Sequence, residues 1–70
     1  MAGLAGIAHQ RAIKALQKAG FRVARKGKHV VMTNGQKVIT IPRRNPINAF
    51  TMAGIVREAG LSISEFRRLL

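Results

Sequence analysis

The 70-residue sequence predicts one α+β domain of order α-β-β-β-α-α, a three-stranded antiparallel sheet with helices on one face. Three observations lead there. Asn34-Gly35 separates two alternating apolar runs, which is the strongest short hairpin signal. Ala12, Ile13, Ala15, Leu16 and Ala19 recur at helical spacing and stop at Gly20. Ser62 and Glu65 stand at the spacing of a capping box just before Phe66.

Residues 1–7 carry no basic n-region, and no apolar run approaches the roughly 18 residues of a membrane span. They read as a flexible lead-in, and the chain is expected to be cytoplasmic. The first helix runs from about Ala8 to Ala19, with Arg11, Lys14 and Lys18 forming one cationic stripe. Gly20 supplies the positive φ of the position after the helix. From Phe21 to Arg25 the pattern is that of a strand, with Phe21 and Val23 alternating with Arg22 and Ala24. Lys26-Gly27-Lys28 turns the chain into two more strands, His29 to Thr33 and Gln36 to Ile41.

A two-residue type I′ turn at Asn34-Gly35 sets Thr33 opposite Gln36, Val31 opposite Val38 and His29 opposite Thr40. Val30, Met32, Ile39 and Ile41 then share the apolar side that packs on the helices. His29, Val31, Thr33, Gln36, Val38 and Thr40 share the open side, with Thr40 beside His29. Pro42 ends the third strand because it cannot donate to the ladder. A basic loop, Arg43 to Asn48, leads to a helix from about Ala49 to Ala59, with Phe50, Met52, Ile55 and Val56 as candidate core residues. The last helix opens at Ser62 and returns Phe66, Leu69 and Leu70 to the core.

Thirteen Lys and Arg face only Glu58 and Glu65, a net charge of +11. Solubility needs a net charge of only about 2–8, so this excess points to a polyanion or an acidic protein. A chain of this size buries only about 60% of its unfolded surface, and with no cysteine it has no disulfide to reinforce the core. Two lone histidines and two distant glutamates do not make a metal site. No cofactor is expected, and no serine or cysteine nucleophile has a histidine and carboxylate at hand.

His29 is the residue that could carry chemistry. It opens an apolar strand directly behind Arg22, Arg25, Lys26 and Lys28. Histidine moves protons near neutral pH, and Arg and Lys attract phosphate. RNA cleavage without a metal needs a base for the 2′-OH, an acid for the leaving 5′-oxygen and a cation for the phosphorane. His29 can supply one proton transfer, and Lys28, Lys37, Arg43 or Arg44 the cation, if the fold brings them close. The bland alternative is a strand-edge histidine bonded locally. His9, at the start of the first helix, is given no role. The Arg11-Lys14-Lys18 stripe is either a solvated helix face or an RNA phosphate contact. Phe21, Phe50 and Phe66 all fall at predicted core positions, which leaves no aromatic for base stacking.

Several segments in this order resemble the HicA family, the toxins of type II toxin–antitoxin pairs. They are Leu16-(x)3-Gly20-Phe21, Gly27-Lys28-His29, Val38-Ile39-Thr40-Ile41-Pro42, Ile55-Val56-Arg57-Glu58-Ala59-Gly60-Leu61-Ser62 and Glu65-Phe66. The likeness spans about Ala12 to Leu70. It implies a small double-stranded-RNA-binding-like sandwich, ribosome-independent cleavage of mRNA, and a HicB-type antitoxin that covers the active site. The family's catalytic histidine falls on His29 and its motif glycine on Gly27. Lys28 stands where the family usually has Ser, and Arg43-Arg44-Asn45 where it often has another histidine, so the surface here is more cationic. The residues expected to matter are therefore His29 as catalyst, Gly27, Lys28 and Thr40 as support, and Arg11, Lys14, Lys18, Arg25, Lys26, Lys37, Arg43 and Arg44 toward RNA. A non-catalytic nucleic-acid-binding module of the same fold is the competing reading. A membrane-active cationic peptide is disfavoured by the hairpin signal.

Overall fold

The computed structural model describes residues 2–70. A short 3-10 turn (Ala2–Leu4) precedes α1 (His9–Lys18), β1 (Arg22–Lys26), β2 (His29–Thr33), β3 (Val38–Pro42), α2 (Ala49–Glu58) and α3 (Ile63–Leu69). The strands form one antiparallel sheet in the order β1-β2-β3, so the α+β class and the element order are as the sequence predicts.

Both longer helices stop in the same way. Gly20 and Gly60 have φ of 99° and 80°. In each case the next residue donates back five positions, Phe21 to the Leu16 carbonyl and Leu61 to the Val56 carbonyl. This is the Schellman arrangement, in which only glycine takes the left-handed conformation without a Cβ penalty. It swings Phe21 and Leu61 back onto the core.

Val30, Met32, Ile39 and Ile41 cover the inner face of the sheet and are almost completely buried. Leu16, Met52, Val56 and Phe66 meet them from the helices. The expected lead-in also belongs to this core. Leu4 and Ile7 are buried, and Ile7 forms an isolated antiparallel bridge with Ile47, whose N–H donates to the Ile7 carbonyl at 2.8 Å.

The hairpin register differs from the expected one. Thr33 pairs with Val38 rather than Gln36, Val31 with Thr40 and His29 with Pro42. Asn34 has no positive φ, so the type I′ turn does not form. Its side-chain Oδ1 accepts instead from the Gln36 and Lys37 N–H groups, and the Thr33 hydroxyl donates to the Lys37 carbonyl. Residues 34–37 thus make a four-residue loop. The shift is two residues, and because side chains alternate with period two, the strand residues keep their expected faces, while Gln36, expected to begin the third strand on the open face, lies in the loop instead. Thr40 lies diagonal to His29 on the open face and not opposite it.

Two further differences affect the open surface. β1 carries a bulge at Ala24, between the pairs Val23–Met32 and Arg25–Val31. The extra residue reverses the alternation, so Arg25 joins Arg22, Val31 and Thr40 on the open face. Phe50, expected in the core, is 88% exposed. At about 100° per residue it points nearly half a turn away from the buried stripe of Met52, Ile55, Val56 and Ala59.

The capping box at Ser62 is complete: the Ser62 N–H donates to the Glu65 carboxylate at 2.8 Å, and the Glu65 N–H to the Ser62 hydroxyl at 3.0 Å. The Ser62 N–H, with its hydroxyl and the Arg68 charge adding to it, holds the Glu65 carboxyl below its ordinary 4.5. A depressed folded value means that this contribution is fully present above about pH 4.5 and is lost as pH falls through the lower folded value. Glu65→Gln, which leaves the Ser62 hydroxyl cap in place, is expected to lower stability at neutral pH, with the deficit narrowing in acid as Glu65 itself becomes neutral. Melting curves of both chains across that range would show it; an unchanging deficit would mean that the carboxylate contributes nothing.

Candidate active site

His29 is the first residue of β2 and is exposed. It stands on a ridge between two open hollows. One, of about 500 Å³, is lined by Lys28, Pro42, Arg43, Arg44, Asn45 and Pro46 as well as His29. The other, of about 300 Å³, lies on the open face of the sheet, among Arg25, Gly27, Lys28, Val31 and Thr40. Four cationic side chains, Arg25, Lys28, Arg43 and Arg44, line the hollows that His29 shares, and among the described residues no carboxylate lines either one. Such a surface attracts a phosphodiester and leaves a proton-transfer group beside it.

The loop that walls the larger hollow is tied down at both sides. The Arg43 guanidinium donates through Nε to the Gly27 carbonyl at 2.9 Å, fastening the loop to the turn that precedes His29. At the other side His9 is buried, not free among flexible residues. Its backbone N–H donates to the Arg44 carbonyl at 3.2 Å and to Asn45 Oδ1 at 3.1 Å. His9 Nδ1 lies 2.8 Å from the same Oδ1. A backbone N–H can only donate, so the shared atom is the amide oxygen. The ring nitrogen facing it must then carry the hydrogen. Asn45 thus satisfies an N–H in the first turn of α1, whose own N-cap residue, Ala8, has no side-chain acceptor.

The structure gathers His29, Gly27, Lys28, Thr40, Arg25, Arg43 and Arg44 around the two hollows. The other cations lie elsewhere. Lys26 pairs with Val30 and takes the opposite side of the sheet. Lys37 belongs to the 34–37 loop, beyond the far end of the five-residue β2, about 16 Å along the strand, and its side chain lies against Gly60. Arg11, Lys14 and Lys18 are exposed on α1, which packs in the helical layer behind the sheet. Lys18 Nζ donates to the Leu69 carbonyl at 3.1 Å, capping the end of α3. The residues that sequence reasoning passed over are His9 and Asn45. Their signal was a helix start without a Ser, Thr, Asp or Asn at its N-cap, which requires an acceptor from another part of the chain.

A family model described as HicA toxin of bacterial toxin-antitoxin matches residues 10–61, a span that includes the whole sheet, the loop and α2. No curated protein and no solved structure matches the chain.

Replacing His9 by Phe keeps the volume but removes one of the two donors to Asn45. The expected result is a loss of about 1–3 kcal/mol and faster amide hydrogen exchange at residues 43–47, whereas His9→Asn, which can present an amide N–H near the same place, retains most of the protection. Unchanged exchange in His9→Phe would show that the loop does not depend on the ring.

Proposed function

The chain belongs to the HicA toxin family, and from that premise we propose that it is a metal-independent endoribonuclease that cleaves mRNA without the ribosome, with His29 as its catalytic base. The observation that carries this reading is His29 itself, set between two hollows bordered by cations. RNA enters with a phosphate against Lys28, Arg44 and Arg43. The His29 ring takes the proton of the adjacent 2′-OH. The 2′-oxygen attacks phosphorus, the bond to the 5′-oxygen breaks, and water or the Lys28 ammonium protonates the leaving oxygen. The products are a 2′,3′-cyclic phosphate and a 5′-hydroxyl. Positive charge around the phosphorane stabilises the transition state more than the ground state, because charge accumulates there as the bond forms.

A toxin of this family implies an antitoxin, and we take the partner to be of the HicB type, its acidic surface covering His29 and the hollows beside it. Charge complementarity supports this: thirteen cations against two acids make an anionic partner favourable in both rate and specificity. Among the described residues, no helix is long and apolar enough to cross a membrane.

Purified chain should cut an mRNA in the absence of ribosomes and in the presence of a chelator, leaving cyclic phosphate ends detectable by mass spectrometry. His29→Ala should reduce the rate by at least about 100-fold while RNA binding and thermal stability stay near wild type, since the side chain is exposed. Equal cleavage by the variant would sink the assignment. RNA binding without cleavage by either chain would leave a binding module.

A further inference from the structure

Among the described residues Phe50 is the phenylalanine outside the core, 88% exposed in the first turn of α2. Four residues earlier the chain leaves the larger hollow at Pro46, so the two lie within about 14 Å of each other. The connection is firm. Ile47 is buried and bridged to Ile7, and Asn48 Oδ1 accepts from the Phe50 N–H at 2.8 Å. Helical side chains lean toward the N-terminus of their helix, which for Phe50 is the direction of the basic loop. One turn further along α2, at Gly54, an added Cβ would meet nothing within 4 Å, so the surface beside the ring is open. Two turns along, about 10 Å up the axis, stands exposed Arg57.

We propose that Phe50 is a stacking platform for an unpaired nucleobase, and that the strand bound at His29 continues past the 43–46 loop onto α2. The substrate is then single-stranded RNA in this region. A duplex keeps its bases stacked on one another and offers none to the ring. The order of groups supports RNA over a protein partner. Guanidinium, aromatic ring and guanidinium alternate from Arg44 through Phe50 to Arg57, as phosphate and base alternate along a strand. A protein hot spot would instead need a contiguous apolar patch around the ring, and here its helix neighbours are Ala53, Gly54 and Arg57. This inference rests on the RNA-cleaving reading for the direction of the strand.

The test separates the two. Binding of a 2′-O-methyl RNA, which has no nucleophile and cannot be cut, is measured for wild type, Phe50→Ala and Phe50→Trp, as a single strand and as a duplex. Phe50→Ala is expected to bind the single strand on the order of ten-fold more weakly with duplex binding unchanged, and Phe50→Trp to match wild type. Circular dichroism melts check that each variant folds, which the exposure of Phe50 favours. If Phe50→Ala binds both forms as wild type does, the platform is overturned even where the chain cleaves RNA. If the single-strand loss appears in a chain that never cleaves, the platform stands and the catalytic reading falls. Loss of antitoxin binding alone would assign Phe50 to a protein interface and overturn it.

Discussion

One amide oxygen, Asn45 Oδ1, holds together parts of the molecule that are far apart in sequence. It accepts from both the backbone and the ring of His9, 36 positions away. The His9 N–H also reaches the Arg44 carbonyl, but the nitrogen of the buried ring has Asn45 as its partner, and leaving it unsatisfied would cost about 1–3 kcal/mol. Through this contact the helix and the loop after β3 become mutually dependent: the helix gains its cap, and the loop gains a fixed conformation. Arg43 extends the tie to Gly27, and the Gly27 N–H donates to the His29 carbonyl. The position of His29 relative to Arg44 is therefore set by a chain of hydrogen bonds running from α1 to the β1–β2 turn.

That arrangement explains how a surface so rich in positive charge can hold a defined shape. The four cations that line the two hollows repel one another, and among the described residues no carboxylate in the hollows offsets them. Glu58 and Glu65 both sit away from the sheet, at the end of α2 and within α3. The backbone bears the constraint instead. Main-chain carbonyls of Gly27, Arg44 and Leu69 accept from Arg43, His9 and Lys18, so three attachments are made to groups that carry no net charge. The field toward a polyanion is kept, and a bound polyanion would in turn stabilise the fold by occupying the native state alone.

The sheet faces were legible in the sequence because they depend on parity. The expected turn was wrong by two residues, yet Val30, Met32, Ile39 and Ile41 remain together since an even slip returns every side chain to its face. The bulge at Ala24 was not legible. An odd insertion has no composition signal when its residues are all compatible with a strand, and it was the step that moved Arg25 beside His29. The exposure of Phe50 was legible: its angle on the helix places it opposite Met52, Ile55 and Val56, and on a helix direction decides burial over hydrophobicity. The missing capping side chain at Ala8 was legible, but that Asn45, 36 positions away, supplies the acceptor depends on long-range closure.

The absence of a carboxylate beside His29 also shapes what the site can do. In many histidine-dependent sites an acidic group orients the ring and steadies its charged form. Here such a group would weaken the positive potential that holds the phosphate, and the two needs conflict at a distance of a few ångströms. The turn resolves the conflict with uncharged backbone. Gly27 bonds forward to His29 through its N–H and is held from behind through its carbonyl by Arg43. The backbone that carries the imidazole is positioned by groups that do not oppose the field, and Arg43, which does the holding, adds to it. The same side chain thus serves the geometry and the charge of the site at once.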